Sequence, residues 1–217
     1  MNTTTFLVVM IGWIFSLCLH EFSHALVAYY GGDTTVKDKG YLTFNPLKYT
    51  HPVFSIILPL IFLMMGGIGL PGGAVYIERW RLRGPLWETA VSLAGPLSNA
   101  ALALALGIVL QTADVVNSGI WPGVAFLAFL QVSAVVLNLI PLPPFDGFGV
   151  VEPFLPMFVR EQLAGMRSIL SWAVIFLFLG GRCFTRKNRG TVSLLAQLAG
   201  IPIDLALLGL DQFLFWQ

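Results

Sequence analysis

His20-Glu21-Phe22-Ser23-His24 puts two imidazoles and a carboxylate within five residues. On a helix, at about 100° per residue, His20 and His24 lie about 40° apart and Glu21 lies about 60° from His24. Both imidazoles then reach one metal ion while Glu21 leans toward the ion's open position. This H-E-x-x-H spacing suits a zinc-activated water with a carboxylate general base beside it. The plainer account is two buried histidines satisfied by neighbouring helices. That account leaves a buried glutamate between them without a charge partner.

The element that must carry these residues is unusual for such chemistry. From Thr5 to Tyr30 the chain is apolar except for the motif, some small polar residues and tyrosines. A helix of that run is about 39 Å long, enough to cross a bilayer with tilt. His20 falls roughly 15 Å along it from Tyr30, below the surface. Ionisable residues at membrane depth are costly and mark function by default.

Composition agrees. The 217 residues are 57% hydrophobic and 11% charged, with mean hydropathy +0.82. Soluble domains carry about 25% charged residues, so a polytopic integral membrane protein of all-α class is expected. A net charge of +1 gives no reason to expect a nucleic-acid partner. Cys18 and Cys183 do not make a disulfide framework. Cys18 reads as packing, with a metal-linked role the sharper option. The N-terminal run has no basic n-region, and cleavage after Ser16-Leu17-Cys18 would separate the motif from its helix, so the run reads as retained.

Apolar segments lie near 5–30, 52–71, 87–111, 121–140 and 168–181, with less regular ones at 148–159 and 191–217. Five or six transmembrane helices are expected, with a broken helix or re-entrant segment at the active site. Basic residues cluster at Lys37–Lys48, at Arg79–Arg83 and at Arg182–Arg189. If every apolar segment spans once, the first two clusters fall on opposite sides. A re-entrant segment around Gly66-Gly67 and Leu70–Gly73 removes that conflict. Glu78 with Arg79, Arg81 and Arg83 reads as a solvated or headgroup-facing segment, and Trp80 and Trp87 as interface anchors.

A catalytic zinc takes three protein ligands and a water. The metzincin extension is absent, because Val27 and Tyr30 stand where its glycine and third histidine belong. His51, Asp114, Asp146, Glu152, Asp204 and Asp211 are the candidates. Asp146 stands out: Pro141, Pro143 and Pro144 precede it, so the helix must unwind, and Gly147 permits a sharp turn after it. Its plainer reading is a solvated carboxylate in an interfacial loop. His51, before Pro52, reads as interfacial, with a metal-linked or proton-handling role the sharper option. Asn99 offers helix packing or a polar role, with packing preferred. Asn138 could donate to an oxyanion or make an interhelical hydrogen bond. Gln197, Asp204 and Asp211 recur every seven residues, a stripe interrupted by Gly200 and Pro202; an amphipathic segment on the membrane or against the core is expected.

His20-Glu21-x-x-His24, Ala94-Gly95-Pro96-x-x-Asn99 and Asn138 through Gly147 together resemble the site-2 proteases, the intramembrane zinc metalloproteases. The resemblance implies Zn²⁺ held by His20, His24 and Asp146, with Glu21 as general base. It implies that Asn138 holds the substrate or stabilises the oxyanion. Phe145 replaces the commoner leucine before Asp-Gly. The resemblance covers Thr5 to Gly147, so residues 1–147 read as the metalloprotease core and 148–217 as C-terminal membrane helices with an amphipathic tail. No connection is long enough for a folded soluble domain, so a compact member without a PDZ-like module is expected.

The implied function is cleavage of a transmembrane segment of a membrane-protein substrate, as in regulated intramembrane proteolysis, in the cell membrane. No sequence feature specifies an oligomeric state. Two other readings remain. A CAAX-type membrane metalloprotease would take a downstream glutamate, Glu152, as third ligand. A non-catalytic zinc-binding membrane protein or transporter would keep the metal without needing Glu21.

Overall fold

Thr3–Gly31 forms a single helix, α1, in the computed structural model, which describes residues 3–48, 63, 75–114, 119–163, 165–166, 169–170 and 189–214. A short turn of helix, α2, follows at Thr35–Asp38. The long helix α3 spans Pro85–Thr112 and α4 spans Trp121–Asn138. The short α5 covers Asp146–Val151, and α6 (Arg189–Leu198) and α7 (Ile203–Phe213) close the described chain. No strand occurs among the described residues.

Proline placement explains several boundaries. Pro85 and Pro122 sit in the first turns of α3 and α4, where a missing N–H costs nothing. Pro96 lies inside α3 and has no N–H to offer the Ser92 carbonyl. After Asn138 the Pro141–Pro144 stretch cannot stay helical, and the chain resumes a helix only at Asp146.

Helices α1, α3 and α4 are long and apolar enough to cross a membrane; the α6–α7 pair, bent by 117° at its break, would make a fourth crossing if it counts as one span. The expected segments 52–71 and 168–181 lie outside the described residues apart from Leu63, Ile169 and Leu170, as do His51 and the re-entrant segment around Gly66–Gly73. The apolar stretch 148–159 is no crossing: it holds α5 and a 3-10 turn at Glu152–Phe154.

Alanines let the helices approach closely. Ala25, Ala28, Ala125 and Ala128 are all fully buried. In lipid, such close packing and interhelical hydrogen bonds replace water exclusion as the source of association. Ser16 Oγ donates to Gln131 Oε1 at 2.5 Å, joining α1 to α4. Thr5 Oγ1 donates to Gln212 Oε1 at 2.6 Å, joining α1 to α7. Each such bond contributes about 1 kcal/mol in a membrane. Trp13 of α1 packs with Phe126 and Leu130 of α4 and Phe213 of α7. Outward, Leu7, Ile11 and Phe15 on α1 and Leu97, Leu104 and Ile108 on α3 are exposed stripes of the kind that face acyl chains.

The C-terminal stripe does not form. The bend between α6 and α7 puts Gln197 on one helix and Asp204 and Asp211 on the other. The pair docks against the core, with Ile201, Leu205 and Ala206 packed against Ala125, Ala128 and Val132 of α4. The first two basic clusters share one end of the molecule, because Lys39 Nζ and Arg81 Nε both bond Glu78, at 2.9 and 2.6 Å.

Candidate metal centre

One turn of α1 supplies both imidazoles. His20 Nε2 and His24 Nε2 stand 3.0 Å apart. The loop after α4 brings Asp146 to them, with Oδ2 3.1 Å from His20 Nε2 and Oδ1 3.5 Å from His24 Nε2. Gly147 makes that return possible, since a side chain there would overlap the Leu139 carbonyl. The interfacial-loop reading of Asp146 is thereby set aside.

These atoms fit a metal. One ligand atom from each of the three residues lies within 4.8 Å of the others. Donors about 2.0–2.1 Å from a tetrahedral zinc stand about 3.3 Å from each other, close to the separation of the two imidazole nitrogens and to that of each from its nearer Asp146 oxygen. Asp146 Oδ2 is buried yet makes no hydrogen bond among the described residues, as suits an oxygen whose partner is a cation. His24 Nδ1 lies 2.6 Å from the Val91 carbonyl oxygen. That acceptor holds the hydrogen on Nδ1 and leaves the Nε2 lone pair for a metal. Space is reserved by Gly95, where an added Cβ would collide with Nε2 of both histidines. The Gly95-Pro96 pair thus lets α3 pass its backbone directly over the two rings.

Glu21 is buried beside the cluster, and its Oε2 accepts the Val75 N–H at 3.1 Å. A cavity of about 340 Å³ opens there, walled by Glu21, His24, Val75, Arg79, Glu88 and Asp146 among others. A second, of about 210 Å³, lies against Pro144, Asp146 and Phe148. Arg79 faces both cavities. It pairs with Glu152 and stands 3.9 Å from Glu88, which Arg160 also approaches at 4.0 Å. Sequence alone read Arg79 as solvated or headgroup-facing; it is exposed, and its contacts with Glu152 and Glu88 also place it at the walls of both cavities.

The remaining candidates separate clearly. Glu152 is buried against Arg79 and is not part of the metal cluster. Cys18 packs among Ala25, Ala28 and Val91. Among the described residues, His20, His24 and Asp146 form the only such cluster, so Asp114, Asp204 and Asp211 stand apart from it. Asn138 and Asn99 are buried and line a small cavity with His20. Asn99 Oδ1 makes no hydrogen bond among the described residues.

Sequence reasoning missed Asp33. Its Oδ1 accepts the Thr35 N–H and hydroxyl, and its Oδ2 accepts the Glu78 N–H at 2.7 Å. It thereby anchors the extended stretch 75–78 whose other end, Val75, holds Glu21. A lone Asp after Gly31-Gly32 reads as a turn residue, so only the tertiary contact shows this.

No protein-family model matches the chain, and no solved structure does. Rip2 of Mycobacterium tuberculosis strain H37Rv, named as a zinc metalloprotease, is 43% identical over 216 residues, covering 97% of this chain and 81% of the relative. Rip2 of Mycolicibacterium smegmatis is 50% identical over 165 residues, covering 73% of this chain and 61% of the relative. YwhC of Bacillus subtilis, also named as a zinc metalloprotease, is 32% identical over 180 residues, 76% of each chain. These names agree with the donor set in making zinc the cofactor. Similarity of this extent, over nearly the whole chain, makes the protein a member of the site-2 protease family of zinc metalloproteases.

Proposed function

We propose that the protein is an intramembrane endopeptidase, cutting a peptide bond within or next to a transmembrane segment of another membrane protein. The observation that carries this reading is placement. His20, Glu21 and His24 are buried on α1, a helix long and apolar enough to cross the bilayer, and Asp146 reaches them from the start of α5.

His20, His24 and Asp146 would hold the zinc. When bound, zinc supplies Lewis-acid polarisation of a carbonyl and lowers the pKa of water. Glu21 acts as the general base. Its Oε2 is engaged by Val75, so Oε1 is the atom that takes a proton from the attacking water and returns it to the leaving amine. The cavity beside Glu21, walled by Arg79 and Glu88, gives water a polar path to that carboxylate. Asn138, a donor at the end of α4, is the proposed partner of the developing oxyanion.

A helical substrate ties up its own carbonyls, so the segment must unwind locally before it can be cut. Helix-weakening residues near the scissile bond follow from that requirement. Release of a membrane-held regulator is the biological setting such cleavage fits.

The test uses the full chain reconstituted in vesicles with a panel of tagged single-span proteins, cleavage sites being mapped by mass spectrometry. Sites inside or flanking the spans are expected, with Glu21→Gln keeping zinc and losing about 10²–10⁴-fold in rate. Cuts confined to soluble regions, or undiminished by Glu21→Gln, would overturn the reading.

A further inference from the structure

The two zinc-facing histidines are supported differently. His24 has a direct protein partner for its outer nitrogen, the Val91 carbonyl. His20 Nδ1 is buried and has no hydrogen-bond partner among the described residues. Metal-bound histidines almost always donate that second N–H to something, because the bond fixes both ring orientation and tautomer.

What lies beside His20 is a cavity of about 10 Å³ whose walls include Trp13, Ser16, His20, Asn99 and Asn138. Three of these residues carry a buried polar atom without a partner among the described residues: Trp13 Nε1, His20 Nδ1 and Asn99 Oδ1. Their residues are 4%, 6% and 4% exposed. A site of roughly 10–15 Å³ with two to four polar partners is what one water requires. The chemistry also matches. Indole N–H only donates, and His20 Nδ1 must donate if its Nε2 lone pair faces the metal; the amide oxygen of Asn99 only accepts. Two donors and one acceptor complement a single water, which accepts two hydrogen bonds and donates two. Its second hydrogen has Ser16 or Asn138 within the same walls.

We infer that Trp13, His20 and Asn99 bind one structural water, through which Asn99 acts as a positioning residue for the His20 ligand. The inference rests on the reading that His20 holds zinc through Nε2. It gives the Gly95-Pro96-x-x-Asn99 stretch a joint purpose: Gly95 clears the inner nitrogens, and Asn99, one turn further along α3, steadies the outer nitrogen of His20.

The experiment is zinc competition against a chelator of known affinity, with the full chain in detergent. Asn99→Leu removes the acceptor at similar size and is expected to weaken zinc binding about 10–100-fold. Asn99→Asp keeps an acceptor in place and is expected to recover most of that loss, which a packing role would not produce. Trp13→Phe keeps the ring but loses the donor, and a smaller weakening is expected. Wild-type affinity in Asn99→Leu, or equal loss in Asn99→Leu and Asn99→Asp, overturns the inference. Should Asn99→Leu fail to fold, Trp13→Phe decides, and unchanged zinc affinity there overturns it. Failure of the underlying reading looks different: wild type without zinc, or His20→Ala holding zinc as well as wild type, overturns the ligand assignment and this inference with it.

Discussion

The Val91 carbonyl oxygen sits 2.6 Å from His24 Nδ1, so the backbone of α3 sets the tautomer of a histidine on α1. One turn later the same helix brings Gly95 against the inner nitrogens of both histidines. The metal site is therefore a property of the α1–α3 contact and not of the H-E-x-x-H turn alone. Gly95→Ala tests this directly. Its methyl would occupy the space between His20 and His24 Nε2, and overpacking of this kind costs about 1–3 kcal/mol. Loss of zinc from near-stoichiometric to trace is expected by metal analysis of purified protein, with the helical circular dichroism retained. Full zinc content in Gly95→Ala would contradict the close approach.

Asp146 opens α5 and Glu152 opens the 3-10 turn that follows it, and the two have opposite fates. Asp146 meets the histidines, whereas Glu152 meets Arg79. Asp146→Ala should empty the zinc site, and Glu152→Ala should leave it filled. Glu152→Ala instead leaves the Arg79 guanidinium without its closest carboxylate, and a lower thermal midpoint is expected. Zinc that survives Asp146→Ala and vanishes in Glu152→Ala would transfer the third ligand to the glutamate.

Asp33 offers a test far from the metal in sequence but joined to it through two hydrogen bonds. Its carboxylate accepts the Glu78 N–H, and the stretch that begins three residues earlier delivers the Val75 N–H to Glu21. Asp33→Ala removes the acceptor of the partly buried Thr35 and Glu78 N–H groups. A lower thermal midpoint and faster amide exchange at Val75 are expected. Unchanged exchange at Val75 would show that the stretch is held without Asp33.

How much of this could be read in advance follows the range of the interactions. His20, Glu21 and His24 share one helical turn, so their convergence is local and legible. Asp146 was also legible, because prolines broke the helix just before it. Gly95, Val91 and Val75 were not, since each acts through backbone that only tertiary packing brings to α1. The contact of Arg79 with Glu152 was not legible either, because the two lie far apart along the chain. The seven-residue stripe of Gln197, Asp204 and Asp211 failed for a local reason: the chain bends by 117° between the first of these and the others.

Glu78 gives the fold a pH dependence whose sign is fixed by its partners. Hydrogen bonds from Lys39 and Arg81, reinforced by their charges, hold its carboxyl down to about 2 from an ordinary 4.5. A depressed folded-state pKa means the unfolded chain binds the proton more readily. The stabilisation is therefore complete above about pH 4.5 and is lost as pH falls toward 2. The thermal midpoint of wild type should fall more steeply than that of Glu78→Gln between pH 5 and pH 2.5, because the amide carries no such linkage. High salt should narrow the difference, since Arg81 and Lys39 are both partly open to solvent. Parallel curves for the two proteins across that interval would show that the Lys39–Glu78–Arg81 cluster does not tie the end of α2 to the 75–81 segment in solution.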